Sequence, residues 1–379
     1  MRILISTHHN QDPHSGASGT GLALGDAYAE LGNEVDYLSF DEMPELPERL
    51  AALAYPPFVA TQLSRRRYRG VDVVDASTGD TWIWGSLHRR RRRPLLVTRS
   101  HGLEHLFDEH TVEHERRHGR SLSRRHRLYW GGYRLAEVRR SLRRADLVLC
   151  LNERERAYAE QRLGVDPRRI EVVANGIDTR FLAAAGAANP SAGARRIAHV
   201  GAYREMKGVD YACEALTAVL ERVPDLSASF FGAGVPREQL LDHFPPALHE
   251  RIETRDNYQR QELPGLLEGH GILLFPSLSE GFGNALAEAM ACGLAPVAAR
   301  SAGAEQIVAD GDSGLLVPRY DAAALTAATL RLLDSPPLLE QLQVGARRRA
   351  ESFALRDVSA RTLELYRRGL ERRERGERP

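Results

Sequence analysis

The chain has 379 residues, 42% of them hydrophobic and 27% charged, with a formal net charge of +1. This composition is typical of a folded globular protein with room for two domains, and no apolar run is long enough for a membrane-spanning helix. Three scattered cysteines exclude a disulfide framework and a cysteine metal site. Together with a first strand that begins at once, without an apolar leader, they predict a reduced, cytoplasmic setting.

The first half of the chain alternates apolar strands with helical segments. A strand at 2–6 is followed by a predicted loop that carries Gly16, Gly19 and Gly21, and then by a helix over 22–31. Further strands are predicted at 34–39, 71–75, 94–98 and 146–150, and a long helix at 124–143. Such alternation is typical of a parallel, doubly wound sheet, whose ligands lie beyond the carboxyl ends of the strands.

The second half repeats this pattern after a change in composition. A stretch rich in Ala, Gly, Pro and Ser at 183–195 has the composition of a linker, and further strands are predicted at 196–201, 226–232, 251–253, 271–275 and 295–298. We therefore predict an α/β protein with three parts. These are an N-terminal domain over 1–182, a C-terminal domain over 196–352, and a final helix with a frayed tail over 353–379.

The segment 275–293, Phe-Pro-Ser-Leu-Ser-Glu-Gly-Phe-Gly-Asn-Ala-Leu-Ala-Glu-Ala-Met-Ala-Cys-Gly, is the most informative motif. It predicts the end of a buried strand, a glycine-rich turn, and a helix from about Asn284. The amides and the positive dipole end of a helix N-terminus suit a phosphate, and glycines let the backbone approach it. Glu280 and Glu288 would accept hydrogen bonds from hydroxyls on either side. The motif therefore predicts a nucleotide-sugar site.

This motif resembles the Glu-x7-Glu signature of the retaining glycosyltransferases of family 4, and the similarity continues through 295–305 and 310–318. Shorter matches lie at 32–35, 145–152 and 173–178, whereas 40–130 matches weakly. The resemblance implies the GT-B fold: two Rossmann-like domains face a cleft, with the donor on the second domain, the acceptor on the first, and a last helix that crosses back to the first. It implies transfer of a sugar from a nucleotide diphosphate sugar (UDP before GDP) to a hydroxyl acceptor of unknown identity. The anomeric configuration is retained, and neither a metal ion nor another cofactor is expected.

Lys207 is the residue predicted to bind the diphosphate, and it is the only lysine among 52 basic residues. A chain that uses arginine elsewhere needs a compact ammonium here. In the family, an arginine shortly after a glycine and a lysine before a second glycine contact the pyrophosphate. Lys207-Gly208 matches this pattern, but Ala202 stands at the usual arginine position. Two interpretations stay open: Arg204 substitutes for the missing arginine, or Lys207 and helix amides suffice.

The resemblance assigns further site residues. Glu280 would hold hydroxyls of the donor sugar, and Glu288 would bind the ribose of the nucleotide. His101, which follows a strand of the first domain, would face the donor sugar, and it completes a predicted catalytic set with Lys207 and Glu280. The remaining predicted donor-binding positions are Gly281, Phe282, Gly283, Asn284, Gly16 and Gly19.

Residues 89–144 hold 17 arginines against 6 acidic residues, and the run begins with Arg89 to Arg93. A solvated face is one interpretation. Another is an anionic partner, either a lipid headgroup surface at the inner membrane face or a phosphorylated acceptor. No nucleic-acid recognition motif is present, so nucleic acid is not an expected partner. The spacing of His105, His110 and His114 gives no clear zinc geometry, and no metal site is predicted.

Other functions fit these motifs less well than sugar transfer does. A glycosidase also uses two carboxylates, but Glu280 and Glu288 belong to a phosphate-type turn. A dehydrogenase needs a Gly-x-Gly-x-x-Gly fingerprint, and Gly16, Gly19 and Gly21 are spaced differently. A nucleotide-sugar epimerase of the same fold and a non-catalytic protein that binds anionic surfaces remain as alternatives to the transferase.

Overall fold

The computed structural model describes residues 1–12, 16–65, 68–88, 93–184 and 195–375. Two compact units make up the chain: Met1–Gly176 together with Leu355–Pro379 forms the first, and Ile177–Ala354 forms the second. Most of the predicted linker (185–194) and of the arginine run (89–92) lies outside the described residues.

The first unit is built on a six-stranded parallel sheet with the order β2-β1-β3-β4-β5-β6. Its strands are β1 (Arg2–Ser6), β2 (Glu34–Leu38), β3 (Val73–Ser77), β4 (Leu95–Arg99), β5 (Leu147–Cys150) and β6 (Ile170–Val172). Its helices in this part of the chain are α1 (Gly16–Glu30), α2 (Glu48–Leu63), α3 (Trp82–Leu87), α4 (Glu104–Arg117), α5 (Leu135–Arg144) and α6 (Glu153–Gln161). Strands β3, β4 and β5 are buried along their whole length, as expected for parallel strands covered on both faces.

The second unit repeats this architecture, with the strand order β12-β11-β10-β7-β8-β9. Its strands are β7 (Arg196–Val200), β8 (Ser227–Phe231), β9 (Ile252–Arg255), β10 (Ile272–Phe275), β11 (Ala295–Ala299) and β12 (Leu315–Val317). Its helices are α7 (Thr179–Ala184), α8 (Val209–Arg222), α9 (Arg237–Leu241), α10 (Leu263–Leu267), α11 (Asn284–Ala291), α12 (Ala302–Ile307), α13 (Ala322–Leu333) and α14 (Pro336–Glu351). The predicted parallel, doubly wound architecture is therefore confirmed in each unit.

Short helices of other types complete the elements. Five 3₁₀ helices lie at Phe40–Glu42, Pro167–Arg169, Glu205–Lys207, Pro246–Arg251 and Arg260–Glu262 within the residues that the structure describes. A nine-residue π-helical stretch, His126–Arg134, runs directly into α5. The predicted helix over 124–143 is thus helical throughout, although its first half has the wider π geometry.

The glycine-rich segment after β1 differs from its prediction. We expected a loop through Gly21, but α1 begins at Gly16, so Gly16, Gly19 and Gly21 all lie in its first turns. Tertiary packing outweighs the low helix propensity of glycine here. At Gly25 of the same helix, a Cβ would lie 1.9 Å from the Tyr37 hydroxyl of β2, so small residues let α1 approach the sheet closely.

The last helix of the chain, α15 (Leu355–Glu374), belongs to the first unit and packs against α1 and β4. A buried polar network joins it to the sheet. Arg99 donates from Nη2 to Asp75 Oδ2 at 2.8 Å and to the hydroxyls of Tyr28 and Tyr366 at 3.1 and 3.0 Å, and the Tyr366 hydroxyl donates to Asp75. Although α15 has 20 residues, none of the helices described here has the length and apolarity needed to cross a bilayer.

Candidate functional site

The loops after β7 and β10 meet at the carboxyl ends of these neighbouring strands in the second unit. The amide of Leu278 donates to the carbonyl of Met206 at 3.0 Å. Gly208 has a φ of +69°, and a Cβ there would lie 2.2 Å from the carbonyl oxygen of Pro276. The two loops therefore contact backbone to backbone, and this contact places Lys207 beside the glycine-rich turn.

Lys207 and Glu280 contact each other directly. The Lys207 ammonium lies 2.5 Å from Glu280 Oε1, and the Ser277 hydroxyl donates to the same oxygen at 2.8 Å. The Glu280 side chain is 11% exposed and that of Lys207 is 36% exposed, so one side of the pair is open to solvent. In this structure the opposite charges of Lys207 and Glu280 neutralise each other.

In the turn between Glu280 and α11, the largest side chain, Phe282, is buried. Gly283 adopts a φ of +98° immediately before the first residue of α11, Asn284, so the N-terminus of the helix follows the turn directly. Phe282 is 3% exposed, and its ring packs edge-on against Phe353 at 5.5 Å. At Gly303, a Cβ would lie 2.2 Å from the Phe282 carbonyl, which shows how tightly the turn is held.

The close approach at Gly208 supports a first prediction. We expect Gly208→Ala to lower the free energy of unfolding by about 2–4 kcal/mol, because it adds a backbone clash to the strain of a positive φ. Gly234→Ala is the matched control, since Gly234 has the same φ of +69° and a Cβ there would meet no atom within 4 Å. It should lose only about 1 kcal/mol. Urea unfolding of both variants would measure the difference, and equal losses would contradict the role of the loop contact.

Glu288 lies on α11, is 5% exposed, and pairs with a residue that the sequence motifs did not indicate. Arg260 donates from Nε to Glu288 Oε1 at 2.7 Å, and its Nη2 contacts the same oxygen. Burial raises the pKa of Glu288, while the Arg260 guanidinium opposes that rise. Arg260 comes from a 3₁₀ helix without a recognisable motif, and in a chain so rich in arginine no sequence signal distinguishes it.

Arg204, considered as a substitute for the missing phosphate-binding arginine, is exposed. It precedes the 3₁₀ helix that carries Lys207, and its carbonyl accepts from the Lys207 amide at 2.9 Å. Within the described residues, the Arg204 side chain forms no ion pair with Glu280 and no hydrogen bond with either member of the pair. Gly16 and Gly19, predicted to approach the donor from a loop, lie instead in the first turn of α1.

His101 lies in the first unit, at the carboxyl end of β4, where it lines a cavity of about 510 Å³. The described residues that line this cavity all belong to the first unit, and they include those that follow β1, β3 and β4: His8, His9, Thr78, Asp80 and His101. Burial lowers the pKa of His101 to about 3, so its imidazole is neutral at physiological pH. The cavity occupies the ligand-binding end of a doubly wound sheet.

Two family models match the chain and together span both units. A model described as Glycosyltransferase Family 4 matches residues 15–181, and one described as Glycosyl transferases group 1 matches residues 194–335. Among curated relatives, the MMP alpha-(1->4)-mannosyltransferase of Mycolicibacterium hassiacum is 33% identical over 215 residues, which cover 55% of this chain and 50% of the relative. The chain spans about half the length of the curated relatives it matches.

Solved structures agree with the chain at the level of the fold. Sucrose-phosphate synthase from Thermosynechococcus elongatus superposes with a TM-score of 0.77 at 19% identity, and covers 97% of this chain and 98% of its own. Anabaena HepE, solved in complexes with UDP and with UDP-glucose, gives a TM-score of 0.70 at 18% identity, with 96% and 99% covered. Since both family models and the complete fold agree with the motif at 275–293, the chain belongs to glycosyltransferase family 4 and has the GT-B fold.

Proposed function

We propose that the protein transfers a hexose from a nucleoside diphosphate sugar to an acceptor hydroxyl, with retention of the anomeric configuration. The observation that carries this proposal is the contact of Lys207 with Glu280 beside the N-terminus of α11. A cation beside the N-terminus of a helix suits a diphosphate, and an adjacent carboxylate suits sugar hydroxyls. UDP is the preferred nucleotide, because HepE, which shares the fold, was solved with UDP and UDP-glucose.

In the proposed mechanism, electrostatic stabilisation of the leaving group accelerates sugar transfer. As the bond between the sugar C1 and the diphosphate oxygen breaks, negative charge grows on that oxygen, and the Lys207 ammonium and the α11 amides stabilise it. A bond from C1 to the acceptor oxygen forms, and the acceptor proton passes to the departing phosphate. Glu280 acts as a hydrogen-bond acceptor for sugar hydroxyls and not as an acid. Because Lys207 and the amides supply the positive charge, the proposal needs no divalent ion.

Glu288 is proposed to hold the ribose. The contacts of Arg260 reach Oε1 of Glu288, so Oε2 is the oxygen that would accept from the ribose hydroxyls. In this arrangement Arg260 positions the carboxylate and opposes the rise in its pKa that burial causes, which favours the ionised form that bonds hydroxyls more strongly.

The role of Glu288 leads to a second prediction. Glu288→Gln should weaken UDP binding by about tenfold, because a neutral amide replaces the charged acceptor of the ribose hydroxyls. Glu214→Gln, an exposed glutamate of α8 in the same unit, should bind UDP like the unchanged protein. Titration calorimetry with UDP measures both, and equal dissociation constants for the two variants would remove Glu288 from the donor site.

Incubation with UDP-glucose, GDP-mannose and ADP-glucose tests the activity itself. Release of free nucleotide that depends on donor and protein supports transfer. Conversion of the donor into an epimer without release would indicate the epimerase instead. Vesicle binding without either reaction would indicate the non-catalytic alternative.

The setting in which the enzyme works is also a proposal. Exposed arginines lie along α5, at Arg139, Arg140, Arg143 and Arg144, within the segment where arginine is in excess. This supports a cytoplasmic enzyme that contacts the anionic inner face of the membrane through its first unit. Sedimentation with anionic vesicles at low and at physiological salt would test the contact.

A further inference from the structure

The wall of the cavity in the first unit combines a group of aromatic and apolar side chains with a polar side. Rings or apolar side chains come from α2, α4 and the π-helical stretch: Tyr55, Pro56, Phe107, Tyr129 and Trp130. Its volume of about 510 Å³ is within the range of small-molecule sites. The walls therefore suit a ligand with an apolar body.

Among the residues that the structure describes, Arg134 is the only arginine or lysine that lines the cavity, and its charge is already matched. Its Nη2 donates to Glu104 Oε1 and to the Thr78 carbonyl, each at 3.0 Å, and Nη1 lies 3.7 Å from Glu137 Oε2. A Cβ at Gly79 would lie 2.3 Å from Nη1, so the guanidinium is packed against the backbone and cannot turn freely toward a ligand.

The hydrogen-bond directions at His8 follow from Arg134. Arginine only donates, so the 3.1 Å contact between Arg134 Nη2 and His8 Nε2 makes Nε2 the acceptor. The proton of His8 is then on Nδ1, which donates to Asp80 Oδ1 at 2.7 Å. Burial lowers the pKa of His8 to about 3 and raises that of Asp80. This part of the wall is an ordered chain of hydrogen bonds around a neutral imidazole.

One further histidine of the wall pairs with a carboxylate. His126 Nε2 lies 2.7 Å from Asp108 Oδ1, so this histidine is also paired with a carboxylate. Glu104 Oε2 and His101 Nδ1 are buried polar atoms without a hydrogen-bond partner in the described part of the chain. A ligand hydroxyl can donate to either atom, whereas a ligand carboxylate or phosphate would be repelled by Glu104.

Building on the transferase function proposed above, we propose that this cavity binds the acceptor, and that the acceptor is an aromatic or similarly apolar alcohol without an anionic group. Along the described part of the wall, an anion would meet the carboxylates of Glu104 and Asp108 and no unpaired guanidinium or ammonium. Of the anionic partners that the arginine excess suggested, a phosphorylated acceptor is therefore disfavoured at this site.

Three ligands with the same phenol body test the charge preference: 2-(4-hydroxyphenyl)ethanol, which is neutral; tyramine, which is a cation; and 4-hydroxyphenylacetate, which is an anion. Calorimetry on the full chain should show the neutral ligand binding at least about tenfold more tightly than the anion. Equal or tighter binding of the anion would overturn the proposal, as would failure of all three to bind at millimolar concentration. UDP binding to the same sample is measured separately, so failure of the donor site is distinguished from failure of this one.

Variants locate the binding and test the charge argument. Trp130→Ala should weaken binding of the neutral ligand, because Trp130 lines the cavity and is 48% exposed; Leu128→Ala, on the same stretch, is 77% exposed, does not line the cavity, and should have no effect. Glu104→Gln removes the negative charge that repels an anion and should improve binding of the anion by about tenfold. Unchanged anion binding in Glu104→Gln, or equal effects of the Trp130 and Leu128 variants, would contradict the proposal.

Discussion

Lys207→Ala should lower kcat/KM for sugar transfer by at least about 10²-fold, because it removes the ammonium that stabilises the departing diphosphate. The protein should remain folded, since the side chain is partly exposed and contacts Glu280 at the edge of the site. Initial rates of nucleotide release under subsaturating donor measure the effect. Activity within a factor of about three of the unchanged protein would contradict the proposed role, because an essential charged donor contributes more than that.

Arg204→Ala is the matched control on the same loop. The Arg204 side chain is exposed and, within the described residues, pairs with neither Lys207 nor Glu280. Its removal should therefore change kcat/KM by less than about threefold if Lys207 and the α11 amides suffice. A loss as large as that of Lys207→Ala would favour the other interpretation, in which Arg204 replaces the missing family arginine. The two variants together therefore decide the question that the sequence left open.

Arg99→Leu should destabilise the first unit by about 3–5 kcal/mol, because it leaves Asp75 buried without its cationic partner. The hydroxyls of Tyr28 and Tyr366 would also lose their charged donor. Urea unfolding followed by tryptophan fluorescence suits this measurement, since the three tryptophans, Trp82, Trp84 and Trp130, all lie in the first unit.

Two comparisons sharpen this experiment. The ion pair between Arg348 and Asp312 is exposed, and Arg348→Ala should change stability by less than about 1 kcal/mol. A double variant, Arg99→Leu with Asp75→Leu, should recover part of the loss, because no buried charge is then left unpaired. A single Arg99→Leu variant as stable as Arg348→Ala would show that the network contributes little.

The fold was predictable because its strands are short and apolar, and because helical segments separate them at regular intervals along the chain. The predicted strand at 94–98 lies at Leu95–Arg99, and that at 226–232 lies at Ser227–Phe231. The observed strand boundaries differ from the predicted ones by one or two residues, because hydrogen bonding to the neighbouring strand, and not the apolar run, determines where a strand ends. The predicted start of α1 was wrong. The low helix propensity of glycine favoured a loop at Gly16, whereas packing against the sheet makes that segment helical.

The candidate site was predictable only where chemistry is local in the sequence. Glu280 and the turn that follows it form one motif, and the unusual choice of lysine at 207 indicated its partner. Arg260 reaches Glu288 from 28 positions away, and no short-range pattern encodes such a contact. The cavity around Arg134 is assembled from several separate segments, in a region where the motif similarity was weak.

The return of α15 to the first unit has a consequence for how the polypeptide matures on the ribosome. Residues of the first sheet are synthesised early, yet the core around Asp75 and Arg99 cannot close until Tyr366 has emerged. The second unit is contiguous, so all of its contacts are present before synthesis is complete. The part translated first is therefore expected to reach its native state last. Until α15 packs against the sheet, the carboxylate of Asp75 and the guanidinium of Arg99 lack their contacts with Tyr366.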